Sequence, residues 1–422
     1  MTARDLETQG GIEPVSAEPA LPSAVVQESP RPASTHPRVT MVISSLRAGG
    51  AERVLSRMAS YWAQRDWPIT LVTLEPTSAD FYPVHSEVKR VGLDASGVST
   101  SLWRALRSNR HRVQLIRRAI RASRPEVVIS FMVPTTIITL LAARPERVPV
   151  IVSERTDPSR APLARIWAAL RRVTYPWAVA VVVQTPDVES WAHSFLRKDR
   201  VHVIPNPVAA PPPLDASTQA SATSIAVASQ ADDGACHVLS VGRMDANKGF
   251  DLLIRAFAQC RANRPAWQLT ILGDGRERPR LEALAKDLGV ASHVHLPGTV
   301  RDPTPALFGA DMFVLSSRYE GFPNALLEAM AVGLPVIATN SRGPSRIVRN
   351  DVDGLLVPVD DVAALATAMA GLMDDEPRRR RFGQRATEVA ERFNVDRIMA
   401  TWEAVIAEVL VRQASGNGRQ EK

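Results

Sequence analysis

The chain has 422 residues, 45% hydrophobic and 5% aromatic, with 51 Lys and Arg against 44 Asp and Glu for a net charge of +7. That length supports two domains with separate cores, and no run of about 18 apolar residues offers a membrane-spanning helix. The first residues lack a basic start followed by an apolar stretch, and the two cysteines, Cys236 and Cys260, sit in no metal-ligand or disulfide spacing, so a cytoplasmic protein is expected.

Residues 1–36 are rich in Pro, Ala, Ser and Glu and read as a disordered tail. The first domain is expected over 37–208. Val39–Ser44 reads as a buried strand, Gly49 and Gly50 as the turn after it, and the pattern through Leu55, Met58 and Trp62 as a helix. Further strands are expected at Ile69–Leu74, Val127–Phe131, Val150–Ser153 and Ala178–Val183, separated by Arg-rich helices. This alternation predicts an α/β fold with a parallel, doubly wound sheet.

The positive charge concentrates here, with 18 Lys and Arg against 7 Asp and Glu over residues 101–200, interleaved with Trp103, Trp167, Tyr175 and Trp177. No nucleic-acid motif accompanies it. An anionic membrane surface or a diphosphate-linked lipid is therefore the expected partner, and nucleic acid is not.

Pro205-Asn206-Pro207 closes the first domain, and 209–236 reads as a low-complexity linker. The second domain, 237–394, restarts with strand Val238–Val241 and continues with a helix over Phe250–Cys260. Strands follow at Leu269–Leu272, Val294–Leu296, Met312–Leu315 and Pro335–Ala338, with a helix around Leu281–Leu288. Residues 395–412 carry a helical apolar stripe through Met399, Trp402, Val405, Ile406 and Val409, and 413–422 reads as a tail. Two similar Rossmann-like domains would enclose a cleft.

The most informative segment is Ser317–Met330, where Glu320 and Glu328 bracket a helix start at Gly321-Phe322-Pro323-Asn324 directly after a strand. Pro323 suits the first helical position, so the backbone N–H groups of Phe322, Asn324 and Ala325 would face an anion at the positive end of the helix dipole. This Glu-x7-Glu pattern resembles the signature of the retaining glycosyltransferases of family 4, and the resemblance runs from about Val39 to about Leu410. It implies the GT-B fold, with residues 395–412 crossing back onto the first domain.

The resemblance also assigns roles. Arg243 and Lys248, five apart after a strand, would neutralise the diphosphate of a nucleotide-sugar donor. Glu328 would accept hydrogen bonds from the ribose, and Glu320 would lie near the transferred sugar. Gly273, Asp274, Thr299 and Val300 would meet the nucleotide, and Gly49 and Gly50 would let backbone approach the donor diphosphate or the acceptor. The implied activity is transfer of a hexose or N-acetylhexosamine, from UDP in the first instance, to a lipid-linked or polysaccharide acceptor at the inner face of the plasma membrane.

Two stretches depart from the family pattern. Glu154 or Arg155 stands where many members carry a histidine near the sugar, and Arg346 stands where a glutamate is usual. Asp351-Val352-Asp353 has the spacing of a metal motif from another fold but reads as a turn before an apolar run. With two cations and a helix terminus available, no metal and no cofactor is expected. A nucleotide-sugar epimerase of the same architecture and a non-catalytic sugar-nucleotide-binding scaffold are the rival readings.

Overall fold

The computed structural model describes residues 35–97, 102–158, 163–211 and 235–417. The tail expected over 1–36 and the linker over 209–236 lie outside the described residues except at their edges.

The first half alternates strands β1 (Val39–Ile43), β2 (Ile69–Thr73), β3 (Lys89–Gly92), β4 (Val127–Phe131), β5 (Val150–Ser153), β6 (Ala180–Val183) and β7 (Val201–Val203) with helices. These helices are α1 (Gly50–Ala63), α2 (Leu102–Ser123), α3 (Val133–Ala143), α4 (Arg165–Thr174) and α5 (Pro186–Ala192). The seven strands form one sheet in the order β3-β2-β1-β4-β5-β6-β7, and every pairing is parallel. Every residue of β1, β4, β5 and β6 is buried. Their Val- and Ile-rich composition, without polar alternation, is what a sheet covered by helices on both faces requires.

The second half repeats the plan with β8 (Cys236–Val241), β9 (Trp267–Leu272), β10 (Val294–Gly298), β11 (Met312–Leu315), β12 (Val336–Thr339) and β13 (Gly354–Val357). Its sheet runs β10-β9-β8-β11-β12-β13, again wholly parallel. Its helices are α6 (Phe250–Arg261), α7 (Arg278–Asp287), α8 (Thr304–Phe308), α9 (Asn324–Ala331), α10 (Val362–Asp374), α11 (Glu376–Ala386) and α12 (Val389–Arg392).

The last helix, α13 (Val395–Asn417), belongs to the first half by packing. Ile398, Met399, Trp402, Val405, Ile406 and Val409 are buried in the same cluster as Met41 of β1, Trp62 of α1 and Phe131 of β4. Trp402 stacks on Phe131 with ring centroids 6.5 Å apart, and the Trp62 indole N–H donates to Glu403 at 3.0 Å. The predicted crossing back is therefore present, and the helix extends five residues beyond Arg412, to Asn417. The two connections between the halves run side by side, since the Val208 N–H donates to the Phe393 carbonyl at 2.9 Å.

In both sheets the strand order reverses beside the first strand, between β1 and β4 and between β8 and β11. Ligands of doubly wound sheets bind outside the carboxyl ends of the strands at such points, and these two ends face each other.

Candidate active site

A cavity of about 690 Å³ lies between the two sets of strand ends. It is lined by all the residues expected from the sequence to meet donor or acceptor except Glu328: Gly49 and Gly50 after β1, Arg243 and Lys248 after β8, Gly273 and Asp274 after β9, Thr299 and Val300 after β10, and Glu320 to Asn324 after β11.

The second-half wall is built on paired charges. Lys248 Nζ donates to Glu320 Oε1 at 2.6 Å, and the Ser317 hydroxyl donates to the same oxygen at 2.7 Å. Arg243 pairs with Asp245 through Nε at the cleft rim. Helix α9 begins at Asn324, with Pro323 as its extended N-cap residue at φ −73° and ψ 113°. Proline, expected at the first helical position, thus stands one position before it, because its carbonyl already accepts the Leu327 N–H while its own ψ is not helical. The first N–H groups of α9 still have no intrahelical acceptor and open on the cavity.

Glu328 sits one turn further along α9 and outside the cavity lining. Its carboxylate is held from across the cleft by two arginines of α1, Arg53 Nη1 at 2.6 Å and Arg57 Nη1 at 2.9 Å. No sequence signal in α1 announced this contact, since the partners are more than 270 residues apart.

The halves pack closely at Gly321. An ideal Cβ there would fall 2.5 Å from the Arg155 carbonyl oxygen and 2.7 Å from Gln184 Oε1, so only glycine permits this approach. Beside it, Asn206 joins both halves. Its Oδ1 accepts from Gln184 Nε2 at 2.7 Å and from Arg155 Nη2, while its Nδ2 donates to the Phe322 carbonyl and to Asn324 Oδ1, both at 2.7 Å. Asn324 in turn donates to the Gly50 carbonyl at 3.0 Å. The Pro-Asn-Pro segment therefore supplies a contact of the glutamate loop as well as a domain boundary.

At the departure from the family pattern, the structure separates the two candidates. Arg155 lines the cavity, stacked over the Phe131 ring at 4.7 Å. Burial draws its guanidinium down to about 9, against the opposing field of Glu154. Glu154 turns into the domain, where it accepts from the Tyr175 hydroxyl and the Thr156 hydroxyl, each at 3.1 Å, with Arg171 at 3.7 Å. Burial pushes its carboxyl up, opposed by those partners. Arg346 binds Asp187 of α5 at 2.9 Å, and Arg342 binds the buried Asp157 at 3.2 Å, so the Arg342–Arg346 segment is an interdomain clasp.

The Asp351 and Asp353 carboxylates are both taken by arginines, Asp351 by Arg378 at 2.6 Å and the fully buried Asp353 by Arg349 at 2.6 Å. Among the described residues, no group of three or more His, Cys, Asp or Glu side chains is placed to hold a metal ion. Met132, which joins β4 to α3 and lines the cavity, has φ +72° and ψ 124°. Strain of about 1–3 kcal/mol at such a position is characteristic of ligand sites.

Comparison with known proteins gives the same division. Residues 49–207 match the family described as glycosyl transferase 4-like domain, and residues 223–389 match glycosyl transferases group 1. Over 374 residues the chain is 27% identical to a Campylobacter jejuni enzyme, GalNAc-alpha-(1->4)-GalNAc-alpha-(1->3)-diNAcBac-PP-undecaprenol alpha-1,4-N-acetyl-D-galactosaminyltransferase, covering 88% of this chain and 99% of the relative. The fold matches sucrose-phosphate synthase from Thermosynechococcus elongatus with a TM-score of 0.76 at 20% identity, over 89% of this chain and 100% of that one. It also matches Anabaena HepE in complex with UDP, with a TM-score of 0.70 at 18% identity over 88% and 100%.

Proposed function

The chain belongs to the group 1 glycosyltransferases, with the two-domain GT-B architecture expected from its sequence, and from that premise we propose that it is a retaining enzyme moving a hexose or N-acetylhexosamine from UDP to a lipid-linked glycan. The observation that carries this reading is the convergence of Arg243, Lys248 and the open N-terminus of α9 on one cavity. A leaving nucleoside diphosphate gains negative charge as the glycosidic bond breaks, and cations with oriented N–H groups stabilise that charge without a metal. The Campylobacter relative acts on an undecaprenol diphosphate glycan, and the Anabaena structure holds UDP, which makes UDP-sugars the first donors to test.

Glu320, fixed by Lys248 and Ser317, would meet hydroxyls of the transferred sugar. Glu328 reaches a ribose on this reading once donor binding releases Arg53 and Arg57 from it. Retention would follow from attack by the acceptor hydroxyl on the face the phosphate leaves, with a donor phosphate oxygen taking the acceptor proton.

Docking at an anionic membrane surface is part of the same proposal. Among the described residues no helix is long and apolar enough to cross a membrane. Helices α2 and α4 both pack on α3 and expose Trp103, Leu106, Ile166 and Val173 among many arginines. Apolar anchors within a basic face suit an anionic lipid surface.

Calorimetric titration with UDP, GDP and ADP in EDTA tests the central claim. Micromolar binding of UDP that is lost in Arg243→Ala is the expected result. Failure of all three nucleotides to bind would overturn it.

A further inference from the structure

The first-half wall of the cavity carries three side chains that the donor does not explain. Glu52, on the first turn of α1, lines the cavity and makes no ion pair or side-chain hydrogen bond among the described residues. Its carboxyl lies directly over Gly49, where an ideal Cβ would sit 2.2 Å from Oε2, and burial pushes it up against the opposing pull of its own backbone N–H and of Arg243. Phe81 and Tyr82, in the segment between β2 and β3, line the same wall as a perpendicular pair with ring centroids 5.0 Å apart. The phenol of Tyr82 reaches the backbone of Gly49, so the carboxyl and the aromatic pair meet at one spot. Arg301 from the opposite half stands 6.0 Å from the Phe81 ring centroid.

This is an unlike pairing to put in front of a diphosphate. An unpaired carboxylate repels phosphate, while two half-buried rings offer flat apolar faces. Together they match a neutral ring with a C–H face and several hydroxyl donors, because a carboxylate accepts from hydroxyls and donates nothing.

Resting on the glycosyltransferase reading above, we propose that Glu52, Phe81 and Tyr82 form the acceptor subsite and that they bind the terminal pyranose of a saccharide. The ring packs against Phe81 and Tyr82, and Glu52 takes hydrogen bonds from its hydroxyls. The acceptor is thereby a sugar hydroxyl, and the phosphates of any lipid carrier lie beyond this spot. Glu52 orients the acceptor, and the transfer step keeps its proton acceptor on the donor phosphate.

Glu52 also stands three residues after the N-cap, where a carboxylate can cap a helix, so the test has to separate binding from capping. Saturation-transfer NMR on the full chain, with methyl α- and β-pyranosides of glucose, galactose, N-acetylglucosamine and N-acetylgalactosamine, reads acceptor binding without any donor. Glycerol and ribitol serve as acyclic polyols. At least one pyranoside is expected to receive saturation on the C–H protons of one ring face, and the polyols none. Phe81→Leu and Glu52→Gln should each weaken that binding by about tenfold or more, with UDP affinity held within about twofold.

Equal signals from the polyols, no signal from any pyranoside, or unchanged pyranoside binding in both variants would overturn the subsite. So would a parallel loss of UDP affinity and thermal stability, which marks a capping role. Pyranoside labelling in a protein that binds none of UDP, GDP or ADP would leave the subsite standing and remove the donor reading instead.

Discussion

On the second half of the molecule, the cleft charges already have partners: Lys248 holds Glu320, and Arg243 holds Asp245. On the first half, Glu52 has no ion partner among the described residues, and its neighbours Phe81 and Tyr82 are aromatic. The two walls come from the same sheet plan and the same strand ends, so the difference lies in the loops. Paired charges hold cations in place for a leaving group that develops charge late, whereas an unpaired carboxylate among rings suits a neutral partner. One fold, used twice, thus presents to one cavity a wall of paired charges and a wall on which a carboxylate with no ion partner among the described residues stands beside two rings.

The largest expected effect breaks this comparison at its base. Trp402 follows the whole second half in the chain but fills the first half's core, and Trp402→Ala should lower stability in urea unfolding by about 3–5 kcal/mol. Next, Arg243→Ala or Lys248→Ala should cut kcat by roughly 10²–10³, about 2.7–4 kcal/mol, in UDP-sugar transfer assays. Arg243 is largely exposed, so its loss should leave the unfolding midpoint nearly unmoved.

Gly321→Ala would force the halves apart at the Arg155 carbonyl, at a cost of about 1–3 kcal/mol to the closed form. Small-angle scattering should report a wider particle, with both domain cores intact by circular dichroism. The smallest effect is expected at Arg65, whose ion pair with Asp396 links the turn after α1 to α13 at the surface, 3.0 Å long with both side chains about half exposed. Arg65→Ala should change stability by no more than about 1 kcal/mol.

Much of this was legible in the sequence. Strands β4, β5 and β11 fall on the predicted residues because each is a central, fully buried run of apolar side chains. The three strands not predicted as such, β3, β7 and β13, all lie at sheet edges. Edge strands are short and half solvated, so Lys89-Arg90 or His202 fits β3 or β7 as well as valine does and no apolar run marks either, while β13 shows only as the short apolar run after the Asp353-Gly354 turn.

The site divides in the same way. The second-half wall of the cavity was readable because Arg243 with Lys248, and Glu320 to Asn324, each fall in one short motif that follows a strand. Arg53, Arg57 and Asn206 act through partners across the cleft, and Glu52 on α1 meets Phe81 and Tyr82 from a segment about thirty residues further along the chain. Spacing along the chain carries no trace of such contacts.

The packing of α13 has a consequence for biosynthesis. The residues that complete the first domain's core, Ile398 to Val409, are translated after the whole second domain. At roughly 5–20 residues per second, the ribosome emits them on the order of ten seconds or more after Val208. Throughout that interval the pocket around Met41, Trp62 and Phe131 lacks its Trp402 stopper, so a nascent chain stalled before Val395 should be cut readily by protease in its first domain while its second domain resists.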